Sequence, residues 1–278
     1  MVFIELYGAI VQHIPQDDSL TLHRLLFTSV ALSAEATRRL YYRISFDSTG
    51  LADQQERGLS RQRIFNATIT QNPHLARLVR SFVLHTGVEF EDKEYWASLA
   101  VALRALTQLK ALHFSYTYST EDRVSSILDG CVFELERFAW FISDGPSLLV
   151  FLESQPLIKH LSLRWEMNYD DEPQRPSLSP SALPNLRTLQ GGQGVMDSIL
   201  PGRPYVTHLH WVPELDDDPM PDMFRIGSAL SSIRVLQYGI YFSAPEFDYV
   251  VGYLPNLEVL YWNNGYFVSV SRYSLLLV

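Results

Sequence analysis

The chain has 278 residues, of which 47% are hydrophobic and 19% are charged, and its formal net charge is −9 at pH 7. This composition excludes a mostly disordered chain, and the length suits one large domain or two smaller ones. The negative charge argues against a nucleic-acid partner, because phosphate-backbone binding requires a basic patch to displace counterions. No cluster of Lys and Arg compensates locally, since the densest basic stretch, Arg57 to Arg63, holds three arginines.

Cysteine content and hydropathy bear on the compartment. The single cysteine, Cys131, excludes an intrachain disulfide and suits a reducing environment. It precedes a run of repeat residues, which predicts a core or near-core position. The N-terminus lacks the basic region of a signal peptide, and no apolar stretch approaches the roughly 20 residues of a membrane span. We therefore expect a cytoplasmic or nuclear protein without a membrane partner.

Residues 1–46 predict three short helices. Apolar residues recur at helical spacing from Ile4 to Ile14 and stop at Pro15. A second helix, capped by Asp18 or Ser19, carries the next apolar group, and a third begins near Ser33. The apolar residues of these two helices are Leu22, Leu25, Leu26 and Val30, followed by Ala36, Leu40 and Ile44. Such a thin bundle has little core and often needs a partner to be well ordered.

This segment resembles an F-box over about 44 residues. The stretch from Phe3 to Ser33 is similar to the motif's amphipathic helix, loop and Val-Ser region, and Ala36 to Ile44 resembles its close in fungal F-box proteins. The chain departs from the family by having Val2-Phe3 where Leu-Pro stands and by lacking the usual tryptophan. The resemblance implies docking on the Skp-type adaptor subunit of a cullin-based ubiquitin ligase. The residues expected to dock are Leu6, Ile10, Leu25, Leu26 and Val30.

Residues 47–71 are predicted to be a connector or a short exposed helix, because the segment is polar and contains Gly50 and Gly58.

From residue 72 to residue 278 a leucine-containing phrase recurs. After an imperfect first strand at Ser81 to Leu84, its central apolar residues stand about 25 residues apart on average, a period typical of leucine-rich repeats. These markers are Leu112, Phe138, Leu161, Leu189, Leu209, Leu236 and Leu260. Segments between them carry helical patterns. The sequence therefore predicts an α/β leucine-rich-repeat solenoid of about eight irregular repeats, with a parallel sheet on the concave side and helices on the convex side.

The strand phase assigns side chains to the concave face, because alternate residues of a strand point to opposite sides. The residues predicted to contact a protein target there are His85, His113, Arg137, His160, Arg164, His208, His210, Gln237 and Tyr261. Five of the eight histidines fall on this face, which raises the hypothesis of a metal site. The strand carrying Thr188 should separate His160 from His208, so we predict no metal site and no cofactor.

The remaining chemical motifs favour loops over catalysis. Acidic clusters at 170–172 and 214–218 follow predicted strands, and neighbouring prolines mark the second as solvated. The glycine-rich run 191–194 lacks dinucleotide-binding spacing and is expected to end the Leu189 strand. No catalytic signature is found in the sequence, so we predict a non-enzyme.

The order of the two parts, an F-box-like segment followed by repeats, resembles that of substrate receptors in SCF-type ubiquitin ligases. The resemblance implies an adaptor that holds a protein target near the ligase. The alternative is a leucine-rich interaction scaffold whose N-terminal helices merely cap the repeats and have no ligase role.

Overall fold

A computed structural model describes residues 2–15, 18–48, 52–86, 92–116, 124–141, 146–164, 178–212, 223–240 and 250–264. Within these ranges the chain is an α/β protein with nine parallel strands in one sheet, ordered as they occur in the sequence. The chain divides into two compact units. The first comprises Met1–Leu112 and Gly130–Phe133, and the second comprises His113–Asp129 and Glu134–Val278.

The first unit begins with three helices. They are α1 (Val2–His13), α2 (Ser19–Leu25) and α3 (Val30–Tyr42), and both α1 and α2 pack on α3. Asp18 caps α2 by accepting a hydrogen bond from the Thr21 amide at 3.0 Å, and Ser29 caps α3 by accepting from the Leu32 amide at 3.3 Å. The predicted start of the third helix near Ser33 is therefore wrong, because Ser29 supplies the cap.

The rest of the first unit alternates strands and helices. The elements are β1 (Arg43–Ser48), α4 (Ala52–Gln71), α5 (Pro73–Ala76), β2 (Ser81–Thr86), α6 (Lys93–Ala105) and the start of β3 (Ala111–Tyr116). Strand β1 pairs in parallel with β2, and Ile44 lies opposite Phe82. Ile44 was predicted on the third helix, and the structure corrects this. Its pairing with a segment almost 40 residues away is a tertiary contact that local spacing does not reveal.

Helix α4 occupies most of the predicted connector. Its inward positions Gln62, Phe65, Asn66 and Ile69 are all buried, and the helix packs on β1 and α6. Residues 52–71 therefore form part of the first compact unit, which comprises Met1–Leu112 and Gly130–Phe133. Two of the four inward residues are polar, so the hydrophobic pattern of this helix is weak.

A buried polar network supports the inward face of α4. The Tyr95 hydroxyl lies 3.1 Å from both Gln62 Oε1 and Thr86 Oγ1, and the Ser48 hydroxyl lies 3.3 Å from Thr86 Oγ1. The Asn66 amide donates to the Ser98 hydroxyl at 3.3 Å. Burial raises the pKa of Tyr95 to about 12, so the phenol stays protonated and can donate a hydrogen bond within the network.

Gly58→Ala is expected to destabilise the protein, although alanine favours helices. A Cβ at this position of α4 would lie 2.5 Å from the Asp47 carbonyl oxygen and 3.2 Å from Ser48 Cβ, both in β1. We expect the free energy of unfolding to fall by about 1–3 kcal/mol, as in overpacked sites. At an open helical position the same change would stabilise by roughly 1 kcal/mol.

Urea unfolding measures this effect, and Ser60→Ala is the matched control because Ser60 is exposed on the same helix. An unchanged or higher midpoint for Gly58→Ala would show that α4 does not pack closely on β1.

The second unit contains the remaining elements, which follow a strand-and-helix alternation. They are most of β3, a 3-10 helix (Val124–Leu128), β4 (Arg137–Phe141), α7 (Pro146–Glu153), β5 (His160–Arg164), β6 (Thr188–Gly191), α8 (Gln193–Ile199), β7 (His208–Trp211), α9 (Met223–Leu230), β8 (Val235–Ile240) and β9 (Val259–Asn264). Every repeat marker lies on a strand, which confirms that the recurring phrase marks β-structure. Gly191 ends β6, as predicted.

Strands β5 to β9 begin with the same hydrogen-bond geometry. Two successive amides donate to one carbonyl at the start of the preceding strand: Lys159 and His160 to Glu136, Arg187 and Thr188 to Lys159, Thr207 and His208 to Arg187, Arg234 and Val235 to Thr207, and Glu258 and Val259 to Arg234. The asparagines three positions before β6 and β9 also make equivalent bonds. Asn185 donates to the Pro156 carbonyl at 2.9 Å, and Asn256 donates to the Ser231 carbonyl at 2.7 Å.

Several predicted features lie outside the described residues. These are the acidic clusters at 170–172 and 214–218. Among the described helices, none combines the length and apolarity needed to cross a bilayer.

Candidate binding surfaces

The strands of the second unit have one buried and one open face. Phe138, Trp140, Leu161, Leu189, Leu209, Trp211 and Leu236 are buried on the inward side. We define the open face as the opposite side, whose residues are exposed or half-buried: Arg137, Ala139, Phe141, His160, Ser162, Thr188, Gln190, His208, His210, Val235, Gln237, Val259 and Tyr261. In β4 to β8 this alternation confirms the phase predicted from the sequence, whereas in β9 it does not hold, because Leu260 is half-buried and Trp262 is 37% exposed. Gly239 departs from it because it is buried.

Parallel pairing aligns the open face into two rows across the strands. The first row contains Arg137, His160, Thr188, His208, Val235 and Val259. The second row contains Ala139, Ser162, Gln190, His210, Gln237 and Tyr261. Thr188 stands between His160 and His208, as predicted. Six of the nine residues predicted to contact a target are therefore brought into two adjacent rows.

The other three predicted contact residues are placed separately. His85 lies on β2 in the first unit and is half-buried. His113 lies on β3, and its ring packs on Phe141 with centroids 5.2 Å apart. Arg164 is the last residue of β5, and its side chain lies outside the described part of the structure.

Two histidines of the open face, His160 and His210, have a pKa below the ordinary value. Partial burial, followed by the nearby charges of Arg137, Lys159 and His208, lowers the pKa of His160 below its usual value, while Glu136 opposes the shift. Burial alone lowers the pKa of His210. His160 Nδ1 lies 3.1 Å from Thr188 Oγ1, and His208 Nδ1 lies 3.0 Å from Thr207 Oγ1. In both rings the hydroxyl contact is made by Nδ1.

A search of the described ranges for metal-binding geometry gives a negative result. No three His, Cys, Asp or Glu side chains in those ranges come together in a group that could hold a metal ion. Cys131 is half-buried.

The N-terminal helices expose several large apolar side chains. Leu6 is 53% exposed, Ile10 is 48% exposed and Val30 is 89% exposed. Leu20 and Phe27, at 61% and 88%, share this property although they were not predicted to dock. We call these five residues the exposed apolar set. Leu25 and Leu26, which were predicted to dock, are half-buried.

Charged residues also stand directly before most strands of the second unit. Glu136, Lys159, Arg187, Arg234 and Glu258 each precede a strand of the second unit by one position. The signal was present in the sequence, because a charged residue recurs immediately before the alternating part of the phrase. The alternation of strand residues assigned the positions directly before the strands to neither face of the sheet.

No protein-family model matches the chain, and no curated protein matches its sequence.

Proposed function

We propose that the protein is a non-catalytic adaptor, in which the N-terminal helices dock on the Skp-type subunit of a cullin ubiquitin ligase and the open face binds a protein target. The observation that carries the docking role is the exposed apolar set on three short helices that pack together. Leaving large apolar side chains in water forgoes roughly 1.5–3 kcal/mol per residue. A contiguous partner surface would recover part of that free energy.

The proposal includes a leucine-rich-repeat solenoid for the second unit. Its support is the recurring hydrogen-bond geometry at five successive strand starts and the equivalent asparagine bonds of Asn185 and Asn256. Repeats of this kind each bury their apolar side chains against neighbours and present one sheet face for binding. The function is then positional, because a tethered target is held at high effective concentration near the ligase.

Val30→Asp is expected to weaken binding of the full chain to the Skp-type subunit about tenfold. The substitution places a charge in the proposed interface but should leave the fold intact. Val30 is the first residue of α3 after its cap Ser29, and a carboxylate at a helix N-terminus is favourable. Isothermal titration of purified proteins measures the change.

Val150→Asp is the matched control, since Val150 is 69% exposed on α7, away from the N-terminal helices in the sequence. If the unaltered chain fails to bind, or if the two variants bind equally well, the docking proposal is wrong.

A second candidate function is an interaction scaffold without a ligase role. The open face favours it, because binding a target there does not depend on the exposed apolar set. Retained target binding together with no affinity for the Skp-type subunit would favour this alternative.

A further inference from the structure

The first row of the open face carries one guanidinium and two imidazoles at its β4 end. Arg137 and His160 are register partners, Thr188 follows, and His208 completes the group. Arg137, His160 and His208 are exposed. Because Thr188 and Thr207 hold the two Nδ1 atoms, both imidazoles are oriented by hydroxyl groups rather than by carboxylates.

The residues that precede the strands add further positive charge beside this row. Lys159 pairs with Glu136 at 3.0 Å, and Arg234 lies 3.5 Å from Glu258. Arg187 donates to the Tyr205 carbonyl at 3.3 Å, and its guanidinium lies 5.4 Å from the Tyr205 ring centroid, so neither contact neutralises it. The described residues at and directly before these strand starts thus include four cationic groups (Arg137, Lys159, Arg187 and Arg234) and two carboxylates, Glu136 and Glu258. This surface is positive on a chain whose net charge is −9.

The dimensions of the row define the size of a ligand. Parallel strands stand about 4.8 Å apart, so the three intervals from Arg137 to His208 span about 14 Å. An extended peptide covers that distance in about four residues. The second row, with Gln190, His210 and Gln237, lies two residues further along the strands. Its amide and imidazole groups can bond to a peptide backbone, which needs both donors and acceptors.

We propose that this surface binds a short acidic segment of a protein target, about four extended residues long, with carboxylates on Arg137, His160 and His208 and the peptide backbone toward the Gln190 row. The inference names the target class of the receptor role proposed above and rests on that role. Charge complementarity supports an acidic peptide as the ligand of this surface. A short segment is favoured over a long polyanion, because the rest of the chain is acidic and repels the longer ligand.

Binding is expected to tighten as the pH falls from about 7.5 to about 5.5. At the higher pH His160 is neutral, because partial burial and the charges of Arg137, Lys159 and His208 lower its pKa while Glu136 opposes them. A bound carboxylate favours the imidazolium and raises that pKa, so binding takes up a proton. Peptide carboxylates have pKa values near 4 and stay ionised throughout this range.

The probe is a capped, fluorescein-labelled peptide in which four alternating Asp and Glu residues are flanked by Gly and Ser. Fluorescence anisotropy with the full chain compares it with a matched Asn/Gln peptide, a phosphoserine peptide without Asp or Glu, and a short oligothymidylate. The acidic peptide is expected to bind at least about tenfold more tightly than the amide peptide, and more weakly as salt rises. Equal binding of the amide peptide overturns the proposal. So does tighter binding of the phosphoserine peptide or of the oligonucleotide.

Variants locate the effect on the open face. Arg137→Gln is expected to weaken peptide binding about fivefold, and Arg225→Gln less than about twofold. Arg225 is exposed on α9, so the Arg225→Gln variant removes the same charge at another position of the second unit. The double variant His160→Gln, His208→Gln should abolish the pH dependence. Equal effects of the two arginine variants overturn the proposed site.

Titration of the same preparations with the Skp-type subunit separates the two proposals. Loss of peptide binding with retained subunit binding contradicts the acidic-segment inference alone. The reverse result contradicts the ligase role and leaves the peptide site in place.

Discussion

Trp140→Ala is expected to lower the free energy of unfolding by about 3–5 kcal/mol, the range measured for large aromatic residues removed from packed cores. Trp140 is fully buried on β4. Its ring stacks on Phe114 with centroids 4.7 Å apart and on Phe138 at 5.7 Å. Removing the indole leaves a cavity that these two rings cannot fill without moving.

Chemical denaturation measures the loss of stability, with Val150→Ala as the control for an exposed apolar residue. The control should change stability by less than about 0.5 kcal/mol. Trp140→Phe should recover part of the loss, because it keeps an aromatic ring in the stack. A Trp140→Ala midpoint equal to that of the control would contradict the packing described for the second unit.

Arg203→Met is expected to destabilise the protein by about 2–4 kcal/mol, because it removes the donors of several buried acceptors. The Arg203 guanidinium donates to the Ser179 and Pro201 carbonyls at 2.8 Å each, and also to the Ile199 carbonyl at the end of α8. Arg203 is only 4% exposed. Burial lowers its pKa to about 10, which leaves the side chain protonated at neutral pH.

Methionine keeps the length and apolar surface of the side chain, so the change reports on the hydrogen bonds rather than on lost volume. Arg225→Met provides the exposed control. Thermal and urea unfolding should both show the loss. If Arg203→Met equals the unaltered protein in stability, the guanidinium does not stabilise the end of α8.

The strands of the second unit were predictable because each repeat combines two independent signals. An apolar residue recurs along the sequence at intervals of similar length. The alternation of apolar and polar residues around it predicts which side chains are buried. The same phase correctly placed His160, Thr188 and His208 in one row, since a parallel register conserves the face of each residue. Only the pairing partners had to be supplied by the structure.

Strand β1 and helix α4 were not predictable in the same way. Ile44 is four residues after Leu40, so helical spacing continues through a segment that in fact pairs with β2. Helix α4 buries Gln62 and Asn66, whose side chains bond to Tyr95 and Ser98. Polar residues that bond to distant partners remove the hydrophobic periodicity on which a helix prediction depends.

The candidate surfaces were predicted in part. Phase placed the open-face residues, but the charge beside them depends on Lys159, Arg187 and Arg234, whose positions precede the strands. On the N-terminal helices, Leu25 and Leu26 pack within the unit while Phe27 is exposed. Helical spacing does not distinguish these cases, because exposure depends on how α2 packs against α3.

Hydrogen–deuterium exchange of the full chain, alone and with the Skp-type subunit, tests the proposed adaptor function most directly. Exchange reports the local protection of backbone amides, so a docked surface is located by residue range. We expect added protection in residues 2–42, which contain α1, α2 and α3, and unchanged exchange in β4 to β9. Absence of a complex, or protection confined to the strands of the open face, would contradict the docking of the N-terminal helices on the ligase.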